Sequence, residues 1–425
     1  MAVTYLKQAT PRPHSENNDI RDIVRVMLTN IEQGGEQTVR DYARKLDGWT
    51  GEIVVSQADR DAACDRVPEE LKRDIRYAHA NIRKFAEAQQ ATIQDCEVEV
   101  IPGLIAGQKQ IPVNAAGCYV PGGRYSHIAS ALMTITTAKV AGVQNITAVS
   151  PTRPDIGIPD PIIYAMDVAG ADRILNLGGV QAIAAMAQGL FGCTPADILV
   201  GPGNSYVAEA KRMLFGKIGI DMFAGPTDSL VIADSSADVE TVTWDLVSQA
   251  EHGADSPVWL VSTDRTLAEG VLARADALID SLPEPNATAA RVAWSERAEV
   301  ILCDTREEAA QVSDTYAPEH LQVQAEDLDW WLDRLTAYGS LFLGRETTVP
   351  FGDKVSGPNH VLPTSGAARY TGGLSVHKFT KTVTWQRATE AASHEIASRA
   401  ARISRFEGME GHARASELRL KPKIV

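Results

Sequence analysis

Four stretches of this chain set a histidine close to side chains capable of acid–base or metal chemistry. Ser248-Gln249-Ala250-Glu251-His252 closes a helical pattern. Gln249 and His252 stand at i and i+3, so an amide oxygen and an imidazole share one helix face. That pairing suits a borderline cation such as zinc, although an isolated pair of this kind is more often structural. Tyr316-Ala317-Pro318-Glu319-His320-Leu321 puts two titratable groups side by side. They suit two general bases in one site, or a capped and solvated segment. Gly352-Asp353-Lys354-Val355-Ser356-Gly357-Pro358-Asn359-His360 is a Gly-rich loop, where polar side chains are costly unless exposed or used. The fourth stretch, near the end of the chain, is Glu407-Gly408-Met409-Glu410-Gly411-His412. A hydrolytic zinc site and a zinc-assisted redox site both account for such a set.

Two Gly-rich turns carry a different signal. Gly117-Cys118-Tyr119-Val120-Pro121-Gly122-Gly123-Arg124 precedes a helical pattern, and Gly201-Pro202-Gly203-Asn204 joins a strand to another. Both offer bare backbone N–H groups at a helix start, where phosphate binds favourably. The GxGxxG dinucleotide fingerprint is absent, and a tight strand-to-helix turn explains either one alone.

The elements that must hold these groups follow from periodicity. Ile20-Ile23-Val24-Val26-Met27-Ile31 recurs at helical spacing, and Val67-Pro68-Glu69-Glu70-Leu71 opens a second helix. Residues 19–90 therefore read as an outer helical layer without chemistry. From about Gly107 short β-branched runs alternate with Ala-rich helices. Strands are expected at 145–149, 172–175, 197–200, 218–222, 230–232, 258–261 and 300–302. Helices are expected at 128–141, 161–168, 180–188 and 205–215. The class is α/β: two Rossmann-like parallel-sheet domains with an N-terminal helical layer. After Gly373 strand signals fade, Thr389 to Arg405 reads as a helix, and the tail runs through Leu418-Arg419-Leu420-Lys421-Pro422-Lys423. This C-terminal helical arm is of a kind that packs on another subunit.

The chain has 425 residues and a formal charge of −14, which disfavours nucleic acid and anionic membranes as partners. Its five cysteines, Cys64, Cys96, Cys118, Cys193 and Cys303, are scattered and show no CxxC pairing. They point to a reducing compartment. The first residues lack an apolar core, and no run reaches the ~18 apolar residues of a membrane span. A cytoplasmic protein is expected.

Taken with Asn359-His360-Val361-Leu362-Pro363-Thr364, the two turns and the clusters at 248–252 and 316–321 resemble the histidinol dehydrogenase family. The motifs keep the family's order over nearly the whole chain. The resemblance implies zinc- and NAD-dependent oxidation of a primary alcohol through the aldehyde to a carboxylate, with two NAD per turnover. It implies Gln249, His252, Asp353 and His412 as zinc ligands and Glu319 and His320 as the catalytic pair. It further implies Tyr119, Gln181 and Asn204 as NAD contacts, and His360 and Glu407 as substrate contacts. In the family the arm crosses to the partner of a homodimer, so His412 and Glu407 would complete the neighbour's site. The implied division is 1–110 with 226–375 as the first α/β domain and 111–225 as the NAD-binding domain. The exchanged arm is 376–425.

The chain departs from the family at its substrate loops. Thr227-Asp228-Ser229 stands where Ser-Glu is usual, Gly352-Asp353-Lys354 where many members read Gly-Asp-Tyr, and His377-Lys378 where an acid is common. Gly225-Pro226-Thr227-Asp228-Ser229 and Glu407 to His412 are more similar to paralogues that oxidise 2,3-dihydroxypropane-1-sulfonate to sulfolactate. Thr227, Lys354 and Lys378 are therefore expected near a small polar alcohol. Lysines there suit a sulfonate, and otherwise they are solvated surface charges. L-histidinol, oxidised to L-histidine, is the alternative substrate. A Cys118-dependent aldehyde dehydrogenase is a rival reading. So is a non-catalytic paralogue, which would have lost Glu319, His320 or a zinc ligand.

Overall fold

The β-branched runs become strands of two separate parallel sheets. The structure is a computed structural model describing residues 3–10, 18–122, 127–222 and 225–421. Gly123 and Arg124 of the first turn, and Pro422 and Lys423 of the tail, lie outside the described residues. In chain order the strands are β1 (Thr4–Lys7), β2 (Cys96–Ile101), β3 (Leu104–Pro112), β4 (Ala115–Tyr119), β5 (Asn145–Ser150), β6 (Arg173–Asn176) and β7 (Ile198–Val200). They continue with β8 (Gly219–Ile220), β9 (Ser229–Ala233), β10 (Val258–Ser262), β11 (Glu299–Leu302), β12 (His320–Gln324), β13 (Ser340–Leu343) and β14 (Thr380–Ala388). The helices are α1 (Asn18–Tyr42), α2 (Gln57–Arg66), α3 (Glu69–Gln90), α4 (Ile128–Val140), α5 (Asp160–Ala169), α6 (Gly179–Gln188), α7 (Ser205–Leu214) and α8 (Val239–Ala250). After them come α9 (Arg265–Asp280), α10 (Asn286–Arg297), α11 (Arg306–Tyr316), α12 (Leu328–Arg334), α13 (Val349–Lys354), α14 (Glu390–Phe406) and α15 (Glu410–Glu417). Most expected elements form within one or two residues of their expected ends, but the strand expected at 218–222 shrinks to Gly219–Ile220.

Two compact units result, one of residues 1–88 with 113–379, the other of 89–112 with 380–425. In the larger unit one sheet has the order β6-β5-β4-β7-β8, all parallel. β4 and β7 are buried throughout, the mark of a strand covered on both faces. Every residue of α4 from Ala129 to Ala138 is buried, so it shows no amphipathic stripe. One core joins α1, through Val24, Met27 and Ile31, to α6, through Ile183 and Met186. The chain leaves β4 toward β5 and returns to β4's other side at β7, which makes this sheet's topological switch point. A crevice opens there, beyond the strands' carboxyl ends.

The second sheet has the order β1-β11-β10-β9-β12-β13, parallel except for β1. Ser229, His320 and Ser340 stand abreast at the N-terminal ends of β9, β12 and β13. α8, α9 and α10 share a core with Val231 and Leu260, while Trp331 and Leu321 belong to the core on the sheet's other face. Because α8 runs antiparallel to its strands, its C-terminal residues return to the edge where β9 and β12 begin.

The smaller unit holds the antiparallel sheet β14-β3-β2, with nine paired residues from Thr380↔Pro112 to Ala388↔Leu104. α14 and α15 are joined by Arg405, which pairs with Glu410 and Glu417. The segment after Gly373 thus contains a nine-residue strand as well as helices. Its Thr- and Lys-rich sequence is largely exposed, so no burial pattern marks it. Among the described residues no helix is long and apolar enough to cross a membrane.

The Gly201 turn is pinned by a buried ion pair. Lys211 bonds to Asp221 and donates to the Gly201 carbonyl at 2.9 Å, while Asp221 accepts from Gly201 N at 2.7 Å. Both side chains are almost wholly buried. Lys211→Met would strand the Asp221 carboxylate, so a loss of ~3–5 kcal/mol in folding stability is expected by urea denaturation. A change below 1 kcal/mol would show the pair to be dispensable.

Candidate active site

The crevice at the switch point continues into a cavity of about 1120 Å³. That is slightly above the ~300–1,000 Å³ usual for ligand pockets. Two helix starts, those of α6 and α7, meet one end of it. Tyr119, last residue of β4, is buried and its hydroxyl accepts from Gly179 N at 3.2 Å, just inside α6. Burial pushes its pKa up to about 12, so it stays a neutral phenol. Asn204 caps α7, its Oδ1 accepting from Tyr206 N and Val207 N at 3.1 Å each. Gln181 donates to Asp47 at 2.8 Å and keeps a buried Oε1 that has no hydrogen bond among the described residues. Gly201 has φ +110, and a Cβ there would lie 2.0 Å from the Tyr119 carbonyl, so only glycine lets the two turns approach. Tyr119, Gln181 and Asn204 thus line one cavity. Helix N-termini and backbone N–H groups at such a crevice suit a dinucleotide phosphate.

Ile23, Met27, Leu46 and Asp47 also line this end. The N-terminal helical layer is therefore not a bare cover. Periodicity identified its buried stripe but carried no signal that exposed residues of α1 would wall a cavity.

At the other end lie Thr227, His252, Glu319, His320, Asp353, Lys354 and His360. The imidazole of His320 is buried, and neither ring nitrogen makes a hydrogen bond among the described residues. Glu319 Oε2 stands 3.8 Å from Nδ1 and Asp353 Oδ1 3.6 Å from Nε2, both beyond hydrogen-bond length. Burial alone would lower the ring's pKa. The carboxylates of Glu319, Asp353 and Asp228 outweigh it and hold the ring at about 9. Burial raises Glu319 to about 8, in part offset by the ring. Asp353, although buried, is held well below the usual carboxylate range by the same ring. His360 is fixed at both nitrogens. Nδ1 lies 3.1 Å from the Asp353 carbonyl, so it carries the proton, and Nε2 takes the Ser130 hydroxyl at 2.8 Å. Burial lowers its pKa to about 4.

A cation needs deprotonated donors. Gln249 is buried one turn before His252, and its Oε1 makes no hydrogen bond among the described residues. With the Asp353 carboxylate and the His252 imidazole, this amide fits a borderline metal. Among the described residues no three His, Cys, Asp or Glu side chains gather closely enough to hold an ion by themselves. A cation there would need the amide and a further donor as well. Lys354 lines the cavity, whereas Lys378 does not and donates to the Thr371 hydroxyl at 3.1 Å. Glu407 and His412 are exposed residues of the smaller unit, at the end of α14 and on α15. Cys118 is fully buried in β4 and outside the cavity lining, and burial pushes its thiol up to about 12. A nucleophilic thiolate requires the opposite shift.

Asp228, which the sequence singled out only as a departure, is part of the scaffold that holds Glu319 and His320. It is buried, accepts from Glu319 N at 2.6 Å and from Ser365 N at 2.8 Å, and its own N–H donates to Glu319 Oε2 at 3.3 Å. Its carbonyl accepts from His320 N at 3.2 Å. Parallel pairing of β9 with β12 makes this reciprocal bonding possible.

Parallel sheets that meet over one cavity, with a Glu–His pair opposite a phosphate-suited crevice, define an α/β oxidoreductase. A family model described as histidinol dehydrogenase matches residues 10–420. The chain is 64% identical over 421 residues to a histidinol dehydrogenase homolog of Ruegeria pomeroyi, covering 99% of this chain and 97% of the relative. It is 61% identical over 420 residues to the sulfopropanediol 3-dehydrogenase of the same organism, again covering 99% and 97%. A crystal structure of histidinol dehydrogenase from Elizabethkingia anophelis superposes with a TM-score of 0.90 at 34% identity, covering 97% of this chain and 94% of that one. The chain belongs to the histidinol dehydrogenase family, whose members are NAD-dependent oxidoreductases acting on CH–OH groups.

Asp228→Asn tests the scaffold. An amide cannot accept at both positions, and its NH₂ would face a backbone N–H. Stability at pH 7 should fall by ~1–3 kcal/mol. Turnover should fall more than KM rises, because Glu319 loses its placement rather than the substrate its contacts. Unchanged turnover would remove Asp228 from this role.

Proposed function

We propose that the chain oxidises 2,3-dihydroxypropane-1-sulfonate through the aldehyde to sulfolactate, using zinc and two NAD per turnover. The observation that carries the reading is Lys354, a cation on the cavity wall beside the Asp353–His320 cluster. It stands at a position where many family members have Tyr. The 61% identity to a protein named for a sulfopropanediol supports it further. L-histidinol remains the second reading, favoured by the family model and the superposed structure. Histidinol is a cation at neutral pH, and Lys354 would oppose it.

In the proposed site Tyr119, Gln181 and Asn204 would hold NAD, which would supply the acceptor for hydride from the carbinol carbon. Gln249, His252 and Asp353 hold zinc, with His412 of a second copy as fourth donor. Zinc when bound supplies Lewis-acid polarisation of the substrate oxygen. His320 takes the hydroxyl proton as hydride leaves. With Asp353 engaged by a cation, the ring loses one of the carboxylates that keep it protonated. Glu319 then takes a proton from the water that adds to the aldehyde carbon. The resulting hydrate loses a second hydride and a second proton, leaving the carboxylate. Thr227, His360, Lys354 and Glu407 contact substrate, and Lys378 adds positive charge outside the cavity. The 376–425 arm is exchanged in a homodimer, so Glu407 and His412 serve the partner's site. The reading takes 111–225 as the NAD domain, 1–110 with 226–375 as the other, and the cytoplasm as the location.

The test is steady-state NAD reduction with zinc. kcat/KM for 2,3-dihydroxypropane-1-sulfonate should exceed that for L-histidinol, and Lys354→Ala should narrow the gap mainly through KM. Efficient histidinol oxidation without sulfonate turnover would return the chain to the second reading. With the aldehyde supplied directly, His320→Asn and Glu319→Gln should each cost ~10²–10⁴-fold. Glu319→Gln should harm alcohol oxidation to the aldehyde less. Equal turnover by wild type and both variants would refute the catalytic pair. Cys118→Ser should leave the rates unchanged, and a dead variant would revive the thiolate reading.

A further inference from the structure

A buried carboxylate behind the cavity ties α8 and α13, which carry or adjoin three of the proposed zinc donors, to β12, which begins at His320. Asp245 lies on α8, one turn before Gln249, and is 9% exposed. Its Oδ2 accepts from Gln322 Nε2 at 2.7 Å and from Gln324 Nε2, and its Oδ1 accepts from the Thr348 hydroxyl at 2.8 Å. Gln322 and Gln324 follow His320 at i+2 and i+4 on β12, so all three project from one face of the strand. Gln322 Nε2 also reaches the Thr347 carbonyl at 3.1 Å. Thr348 is the N-cap of α13, the helix that contains Asp353. It makes no capping bond to its own helix and gives its hydroxyl to Asp245 instead. Three elements thus converge on one carboxylate. α8 ends near Gln249 and His252, β12 begins at His320, and α13 holds Asp353.

This arrangement is a poor way to gain stability. The carboxylate is answered by neutral donors, and burial pushes its pKa up. Gln322 Oε1 is buried without a hydrogen bond among the described residues. Apolar side chains of similar volume would pack such a core at lower cost. What the cluster supplies is direction, since three hydrogen bonds fix α8, β12 and α13 against one another. We infer that Asp245 is a positioning residue for the cation site, holding Gln249, His252 and Asp353 at the spacing a metal requires. The inference rests on the zinc reading of those three residues.

The experiment measures zinc affinity of the full-length protein by chelator competition, together with the visible absorption of the Co²⁺-substituted protein. The variants are Asp245→Asn, Thr348→Val and the pair combined. Asp245→Asn should weaken zinc binding ~10–100-fold, as loss of an outer-shell partner does. Thr348→Val removes one hydrogen bond, from the α13 side, and should weaken it ~3–10-fold. It decides the matter if Asp245→Asn does not fold. The double variant should fall short of the product of the two, because both break one contact. The cobalt bands should shift in each. Thr243→Val is the control. It removes a buried bond within α8, from Thr243 to the Val239 carbonyl, and should leave zinc affinity unchanged. Wild-type zinc affinity and unshifted cobalt bands in Asp245→Asn and Thr348→Val would overturn the inference. Equal weakening by Thr243→Val would do so too, by exposing general destabilisation. A wild-type protein that binds no zinc would instead remove the cation reading itself, and this inference with it.

Discussion

A carboxylate taken out of water must find hydrogen-bond donors or a cation, or else keep its proton. The larger unit buries four of them in one region, Asp228, Asp245, Glu319 and Asp353, and answers each differently. Asp228 receives backbone N–H groups, Asp245 receives side-chain amides and a hydroxyl. Glu319 and Asp353 are left facing one imidazole from opposite sides, neither at bonding distance. Two acids are thus fixed as scaffold, while two face a ring that lies between them. The chemistry of the site follows from that division.

The two sheets contribute opposite ends of their strands. The β4–β7 sheet offers its carboxyl edge, where turns lead into helix N-termini of the kind that suit a phosphate. The β9–β12 sheet offers its amino edge, where the residues just before each strand carry Asp228 and Glu319. Parallel register makes those residues neighbours although 91 positions separate them. The helices that return to this edge, α8 above all, bring their C-terminal side chains to the same place.

Much of this was legible in the sequence, for identifiable reasons. Strands covered on both faces, such as Asn145–Ser150, are β-branched and bounded by turns, and the helices between them are rich in Ala. The clusters at 249–252, 319–320 and 352–360 were legible because His, Asp and Gln are uncommon where loops and core meet. What escaped is equally specific. His320-Leu321-Gln322-Val323-Gln324 alternates as a half-exposed strand would, yet all five residues are buried, since the polar face meets Asp245. β14 sets Val383 and Trp385 on one face but leaves them only half-buried among polar neighbours, so its alternation is faint. Asp228 looked like a substrate-loop variation because its backbone partners come from a strand distant in sequence. Lys378 looked like a second pocket lysine, but its ammonium group is bonded to Thr371 outside the cavity lining.

The pairing of β3 with β14 sets an order of events during synthesis. β3 leaves the ribosome about 270 residues before its nine-residue partner, which at ordinary elongation rates is a delay of roughly 15–50 s. Throughout that interval the β3 edge of the β2–β3 hairpin, which β14 will cover, is bare, the feature by which nascent chains recruit wrong partners. The hairpin is protected by its own composition. Glu97 and Glu99 on β2 and Lys109 on β3 keep charge along it, and Gly107 withholds a side chain from the spot that the Trp385 ring later fills. The smaller unit is thus completed only when Thr380–Ala388 has been made, and a message truncated before Thr380 would leave the β3 edge open.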